Sequence, residues 1–307
     1  MCGLLPSGVF EVNRINQGRL DSSGLNPAGS GCAGLAACGI MARVSGIYDE
    51  PELYELSCAY RDVPAEVTAL QSWFGKYWQG DGADNWVGSV LELAAGPAEH
   101  SRELASRGLR ATALDLSPAM CRYAAARARE AGVELDVAEA DMRDFSLTRR
   151  FDAAITMLNS LCHLFTLDDM VAHLRAVAAH VATGGLYVIE LSHPADHFGP
   201  PSKTSSEWTI EVGGKHAEVH WGGGADRIDP LTQVTEEHMS IIVRSPDGTV
   251  RTAADVVPSR FWTLTEMTAA IRLAGGFTVA ATYGDFDDST ALDAPSAWRM
   301  ILVLRRD

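Results

Sequence analysis

The stretch Trp86–Asp115, WVGSVLELAAGPAEHSRELASRGLRATALD, constrains this chain more than any other. An apolar run, Val87–Leu93, breaks into a small-residue turn, Ala94-Ala95-Gly96-Pro97. A helix-like segment, Ala98–Ser106, follows, and a second apolar run, Leu109–Leu114, closes on Asp115. Strand, tight turn, helix, strand and acid make one βαβ unit, with its ligand residues at the carboxyl ends of the strands. Small residues there let a ligand approach the backbone, and the helix amino terminus adds free N–H groups at the same place.

Charge narrows the ligand. A nicotinamide fingerprint reads G-x-G-x-x-G, with phosphates lying on the helix amino terminus. The loop here is E-L-A-A-G-P-A-E, flanked by Glu92 and Glu99, with no lysine or arginine until Arg102. Those carboxylates repel a pyrophosphate and favour a phosphate-free ligand that carries positive charge. S-adenosylmethionine fits, with its sulfonium, its ammonium and a ribose offering two hydroxyls. Asp115 lies 23 positions after Glu92, near the spacing of about 20 residues at which an acid meets a ribose.

A third apolar run, Val133–Ala138, leads into Glu139-Ala140-Asp141-Met142, and a fourth, Phe151–Met157, into Leu158-Asn159-Ser160-Leu161-Cys162-His163. With ELAAGPAEHS, ALDLSPAM, AEADMRDF and FDAAITMLNSLCHL in this order, the chain resembles the class I S-adenosylmethionine-dependent methyltransferases from Tyr48 to Arg306. Within them it resembles the small-molecule N- and O-methyltransferases. It departs from the family in the first motif, commonly E/D-x-G-x-G-x-G. Ala94, Gly96 and Ala98 stand at those positions, so one glycine remains, and the alanines are expected to hold the turn at negative φ.

The resemblance implies roles. Glu92, Ala94 and Gly96 would line the methionine portion of S-adenosyl-L-methionine, and Asp115 would take the ribose hydroxyls. Leu116 and Met120 would pack on the adenine, Asp141 would accept from its amine, and Met142 would add a backbone N–H or packing. Met157 would be a wall of the same site. Asn159 and His163 follow the fourth strand, where the sulfonium of such an enzyme points. Asn159 would bind the methionine ammonium or the acceptor. His163 would position the acceptor or take its proton, its ordinary pKa being near 6.5. The segment with Tyr48, Tyr60 and Arg61 resembles the amino-terminal lid of small-molecule N-methyltransferases. Arg61 would suit the cofactor carboxylate, and a tyrosine would close over the sulfonium, with Tyr60 facing the acceptor. His193, Arg260 and Trp262 flank a later insertion that returns to the ligand edge, and are expected in the acceptor pocket.

Composition bounds the partners. In 307 residues, 25 basic side chains stand against 40 acidic ones, a net charge of −15. That opposes a nucleic-acid or anionic-membrane partner. No apolar run reaches the roughly 18 residues of a membrane span. Cys2, Cys32, Cys38, Cys58, Cys121 and Cys162 form no C-x-x-C pair, and no charged-then-apolar leader opens the chain. A cytoplasmic location is therefore expected. His193, His197, His216, His220 and His238 match no ligand spacing such as H-E-x-x-H, so no metal is expected.

The expected organisation is as follows. Residues 1–40, rich in Gly, Ser and Asn, read as a loosely attached tail, and Met41 offers an alternative start. Residues 41–85 form a helical lid, with Tyr48–Trp78 in helical spacing, Pro51 in a first turn and Asp49 as the cap before it. Residues 86–192 form the S-adenosylmethionine-binding core, with helices Pro118–Ala131 and Leu167–Ala182, a turn Thr183–Gly185, and a strand Leu186–Leu191. Residues 193–260 read as an antiparallel β insertion covering the acceptor or making a homodimer contact. Its strands are Glu207–Val212, Lys215–Trp221, Gln233–Arg244 and Thr249–Val257. Residues 261–307 add a helix with a Thr263/Glu266 capping box and two last strands. The fold class is α/β: a doubly wound, Rossmann-like, mostly parallel seven-stranded sheet with helices on both faces and a small antiparallel insertion after the fifth strand. The activity expected is methyl transfer to N or O of a small molecule. The alternatives are attack within S-adenosylmethionine itself, or a non-catalytic subunit that binds it.

Overall fold

Apolar runs without alternation mark strands covered on both faces, and that is where this chain builds its main sheet. The computed structural model describes residues 45–80, 86–196 and 206–307. The expected tail at residues 1–40, the start at Met41, and His197 lie outside the described residues. Parallel strands β1 (Ser89–Leu93), β2 (Arg110–Asp115), β3 (Leu135–Glu139), β4 (Phe151–Thr156) and β5 (Val181–Ser192) are joined at one edge by β10 (Phe277–Tyr283) and β11 (Arg299–Arg306). The order is β10-β11-β5-β4-β1-β2-β3, with β11 antiparallel to both its neighbours. The chain runs from β1 out through β2 to β3, then crosses back to β4 on the other side of β1. Loops diverge at the carboxyl ends of β1 and β4 and leave a crevice there.

Helices α1 (Pro51–Ser57), α2 (Val63–Tyr77), α3 (Glu99–Ser106), α4 (Pro118–Ala131), α5 (Leu167–His180) and α6 (Leu264–Ala274) cover the sheet and its crevice. Alternate residues of each strand serve the two faces. Leu91, Ala154, Tyr187 and Ile189 pack with Met170, Leu174, Met267 and Ile271 of α5 and α6. Val90, Ala153, Ile155 and Val188 pack with Val67, Leu70, Trp73 and Phe74 of α2. Two helix starts follow from capping chemistry. Ser117 accepts from the Met120 N–H, with Pro118 in the first turn, and Thr263 and Glu266 form a reciprocal capping box.

The insertion is a second sheet of β6 (Ser206–Val212), β7 (Lys215–Trp221), β8 (Val234–Arg244) and β9 (Val250–Arg260), antiparallel in that order. Strand β9 passes Val257 and runs through Pro258, because an edge strand tolerates a missing N–H. The inward face of this sheet is divided. Ile210, Ala217, Val219, Ile241, Val243 and Ala253 pack on Ile47, Leu53 and Leu56, while the other half faces the crevice.

Two local expectations are corrected. The lid is not one helical run: a 3-10 turn, Ile47–Asp49, precedes α1, and a break at residues 58–62 precedes α2. Asp49 lies in that turn and Glu50 is the N-cap of α1, whereas Asp62 caps α2 by accepting from the Ala65 N–H. Thr183–Gly185 is not a free turn but part of β5, where pairing to β4 jumps from Val181 to Leu186. A Cβ on Gly185 would sit 2.5 Å from the Asp152 carbonyl oxygen, so the strand passes β4 there only as glycine.

Candidate active site

The crevice is a cavity of about 850 Å³. Its floor is the carboxyl ends of β1 to β5, and its roof is α1, the segment after it, and the inner half of the second sheet. Tyr48, Tyr60, Arg61, Glu92, Ala94, Gly96, Asp115, Leu116, Met120, Asp141, Met142, Met157, Asn159 and His163 all line it.

The loop after β1 overturns one expectation. Ala94 and Ala98 both hold positive φ, 50° and 59°, as does Gly96 at 52°. All three positions of the family motif keep a left-handed backbone here, at a steric cost in the two alanines. The carboxylate of Asp115 braces this loop: Gly96 N–H donates to it at 2.7 Å and Ser117 N–H at 2.8 Å. Burial pushes the Asp115 carboxyl above its usual range, opposed by those donors. Glu92 reaches past the loop to accept from Ser101 N–H at 2.9 Å, supplying the first turn of α3 with the cap its own N-cap alanine lacks. Leu116, 67% exposed, forms an open apolar lip opposite the buried Met120. Asp141 is held by Arg143, whose guanidinium donates to both its oxygens and lowers its pKa.

The loop after β4 is also left-handed, at Leu158 (55°) and Asn159 (58°). It is pinned from β5: Leu158 N–H donates to Glu190 at 2.8 Å, and Ser192 N–H donates to the Asn159 side-chain oxygen at 3.1 Å. This delivers His163, at the end of a 3-10 turn, to the cavity. Its Nε2 lies 3.0 Å from the Tyr48 hydroxyl. Burial lowers the His163 pKa and raises that of Tyr48 well above its ordinary value. Both shifts favour the uncharged forms at neutral pH, and the hydroxyl and the ring share one hydrogen bond whose direction follows the ring tautomer.

Arg61 lines the cavity with every guanidinium nitrogen already engaged. It donates to Glu66 at 2.6 and 3.0 Å and to Glu190 at 2.9 and 3.1 Å. Arg299 closes a buried ring, pairing with Glu66 at 3.2 Å and Glu190 at 3.1 Å, and His100 adds a contact to Glu66 at 2.8 Å. Burial opposes ionisation of both carboxyls, yet the partners prevail: Glu66 is held at about 2 and Glu190 below its ordinary value.

Three expected acceptor residues lie off the cavity. The His193 ring bonds to the Leu292 carbonyl at 3.0 Å. Arg260 donates to the Phe165 carbonyl and to Glu266. Trp262 is core, 3% exposed, its ring N–H on the Leu161 carbonyl. In their place the roof presents Tyr54, Trp208, Trp221, Glu237 and Ser259, none of which the motif reading had singled out. Among the described residues no group of three or more His, Cys, Asp or Glu is placed to hold a metal, and no helix is long and apolar enough to cross a membrane.

Residues 90–185, spanning β1 to the middle of β5, match the family described as "Methyltransferase domain". This chain carries a class I methyltransferase domain. The solved structure of Streptomyces venezuelae DesVI superposes with a TM-score of 0.68 at 22% identity, over 83% of this chain and 98% of that one, which shows a shared fold. Among curated proteins, the chain is 36% identical over 126 residues to a dTDP-3-amino-3,6-dideoxy-alpha-D-glucopyranose N,N-dimethyltransferase of Streptomyces fradiae. That match covers 41% of this chain and 47% of the relative, so the chain spans about half the length of this relative. A Cypemycin N-terminal methyltransferase of Streptomyces sp is 24% identical over 233 residues, 75% of this chain and 86% of the relative.

Proposed function

We propose that this chain transfers a methyl group from S-adenosyl-L-methionine to a nitrogen of a small-molecule acceptor. The observation that carries the cofactor is Asp115: a carboxylate at the end of β2 that braces the Gly96 loop and keeps accepting capacity toward the cavity. An ionised carboxyl has about four acceptor sites, enough for the two donors seen and a ribose diol. The lining as a whole is acidic, with eight carboxyl side chains against three arginines, which suits a cation and opposes a pyrophosphate. Leu116 and Met120 would hold the adenine between them, Asp141 would meet its amine, and the left-handed Ala94–Gly96 backbone would leave room for the methionine portion. Bound, the cofactor supplies an activated methyl on a sulfonium. Nitrogen as the receiving atom is supported by the relatives' names, an N,N-dimethyltransferase of a dTDP-linked amino sugar and an N-terminal methyltransferase.

The protein's own work is then positioning and exclusion of water. The Tyr48–His163 pair would wall the cavity between the cofactor loops and the roof. With Nε2 already engaged by the Tyr48 hydroxyl, His163 is better suited to positioning the acceptor than to taking its proton. The three described cysteines are free and buried, in keeping with a reducing cytoplasm.

Isothermal calorimetry with S-adenosylmethionine and S-adenosylhomocysteine tests the cofactor. Mass spectrometry of the products tests the reaction: an acceptor heavier by one methyl supports it, and a fragment of the cofactor would replace it with attack inside the cofactor. Binding of neither ligand would sink it.

A further inference from the structure

Strand β8 points its odd-numbered residues inward, and Met239, Ile241 and Val243 of that set are core. Glu237 belongs to the same inward set and lines the cavity. A carboxylate on the apolar face of a sheet calls for a partner. Among the described residues no lysine, arginine or histidine pairs with it; only the Trp221 ring and the Ser259 hydroxyl pull its pKa back, and burial wins, leaving it raised. Ser259, 1% exposed, lies beside it on β9 and also lines the cavity, its hydroxyl lacking a hydrogen bond of good geometry.

Around this pair runs a chain of aromatic rings. Tyr60 meets Trp208 edge-on at 5.6 Å, Trp208 stacks on Trp221 at 6.4 Å, and Trp221 meets Tyr54 at 6.4 Å. A carboxylate without a cation, a buried hydroxyl beside it and indole faces are together a receptor for an organic cation. The three arginines of the lining are in contrast paired, Arg61 and Arg299 in the buried ring and Arg143 with Asp141 and Asp169. A diphosphate would have to break such pairs.

We infer that the acceptor is an amine without a nucleotide diphosphate, which enters as its ammonium and is anchored by Glu237 and Ser259 against Trp208 and Trp221. This rests on the methyl-transfer reading above and adds the class of acceptor. The ammonium passes one proton to the Glu237 carboxylate, which frees the nitrogen lone pair. The nitrogen then gains the methyl carbon as the carbon–sulfur bond breaks, its electron pair staying on sulfur, and Glu237 returns its proton to solvent. The titratable groups that share its field are Tyr48, Cys162 and Asp226.

The test uses the full chain loaded with S-adenosylhomocysteine and reads tryptophan fluorescence. Benzyltrimethylammonium, which cannot be methylated, is the probe, with benzyl alcohol as its uncharged companion and thymidine diphosphate as competitor. The probe should quench and bind. Glu237→Gln, which keeps volume and removes charge, should weaken it about tenfold or more while S-adenosylhomocysteine affinity stays within about twofold. Trp221→Leu should weaken it in the same sense, and benzyl alcohol should bind poorly to all forms. Unchanged probe affinity in Glu237→Gln, or displacement of the probe by thymidine diphosphate at lower concentration than by the probe itself, overturns the inference. A wild-type chain that binds no S-adenosylhomocysteine instead overturns the methyl-transfer reading beneath it.

Discussion

Replacing Glu190 by Gln tests whether the buried ring at the cavity edge holds the loop that carries Asn159 and His163. Glu190 is 4% exposed and meets Arg61 at 2.9 Å, Arg299 at 3.1 Å and the Leu158 N–H at 2.8 Å. Two guanidinium groups face the buried carboxylates Glu66 and Glu190, and Arg299 also meets the partly exposed Asp285 at 3.3 Å. Glutamine keeps one acceptor oxygen but leaves both buried guanidinium groups sharing Glu66, with only the partly exposed Asp285 as a further anion on Arg299. Breaking a buried pair costs about 3–5 kcal/mol when a charge is left uncompensated. Glu66 still contacts both arginines, which places the loss at the low end, about 3 kcal/mol. For a domain of this size that is a fall in Tm of roughly 6–12 °C. A second change, Arg299→Met, leaves Arg61 on Glu66 alone in the buried ring, with Asp285 kept by the Trp298 ring N–H and solvent, and should recover part of the loss, a coupling that only a double-mutant cycle reads. Thermal and urea unfolding of the four proteins is the assay. Melting of Glu190→Gln within about 2 °C of wild type, or additive losses in the double variant, would refute the reasoning.

Asp115→Asn should weaken S-adenosylhomocysteine by roughly 1–3 kcal/mol, and calorimetry showing unchanged affinity would remove Asp115 from the cofactor site. Glu66, held at about 2 rather than 4.5, has a depressed folded pKa, so its contribution is present above pH 4.5 and drains away as the pH falls toward 2. That contribution is roughly 3 kcal/mol, and Glu66→Gln should flatten that limb of the stability–pH curve. His163→Gln should raise KM for the acceptor with kcat retained if the ring positions it, and lower kcat about 10²–10⁴-fold if it is a base. Burial lowers the His163 pKa, so its stabilising influence is present at neutral pH and lost as the pH drops through the range where an unfolded histidine protonates.

Much of the main sheet was readable because buried parallel strands leave uninterrupted apolar runs and because caps are local chemistry. Ser117-Pro118 and Thr263-x-x-Glu266 place helix starts to the residue, since a side-chain oxygen must meet one backbone N–H. The break between α1 and α2 was missed, although its signal is local. Both helices keep their apolar spacing across it, and that continuity hides the local start signal, Asp62 capping α2 with Pro64 in its first turn. Thr183-Gly184-Gly185 reads locally as a turn, but the approach of the Asp152 carbonyl makes it a bulge, a long-range fact invisible in a window of three residues.

The strand-end side of the cavity was legible for the same reason that motifs exist: its lining residues follow strand ends at short, regular distances. The roof was not, because nearness in sequence to the ligand edge says nothing about which way a side chain points. Parity along a strand does. In β9, Ala253 and Val257 are buried and odd-numbered, so Ser259 must face in and Arg260 out. Arg260 accordingly does not line the cavity and donates to the Phe165 carbonyl. The same parity in β8, fixed by Met239, Ile241 and Val243, turns Glu237 inward. A lone acid in an apolar register was therefore the available signal, and so was Glu190 in the run Val188-Ile189-Glu190-Leu191. Each such acid must be either neutralised or waiting for a cation. Glu190 is neutralised by Arg61 and Arg299, partners more than a hundred residues away in the chain. Glu237 has no such partner among the described residues, and that difference separates a residue that holds the fold from one that selects what enters it.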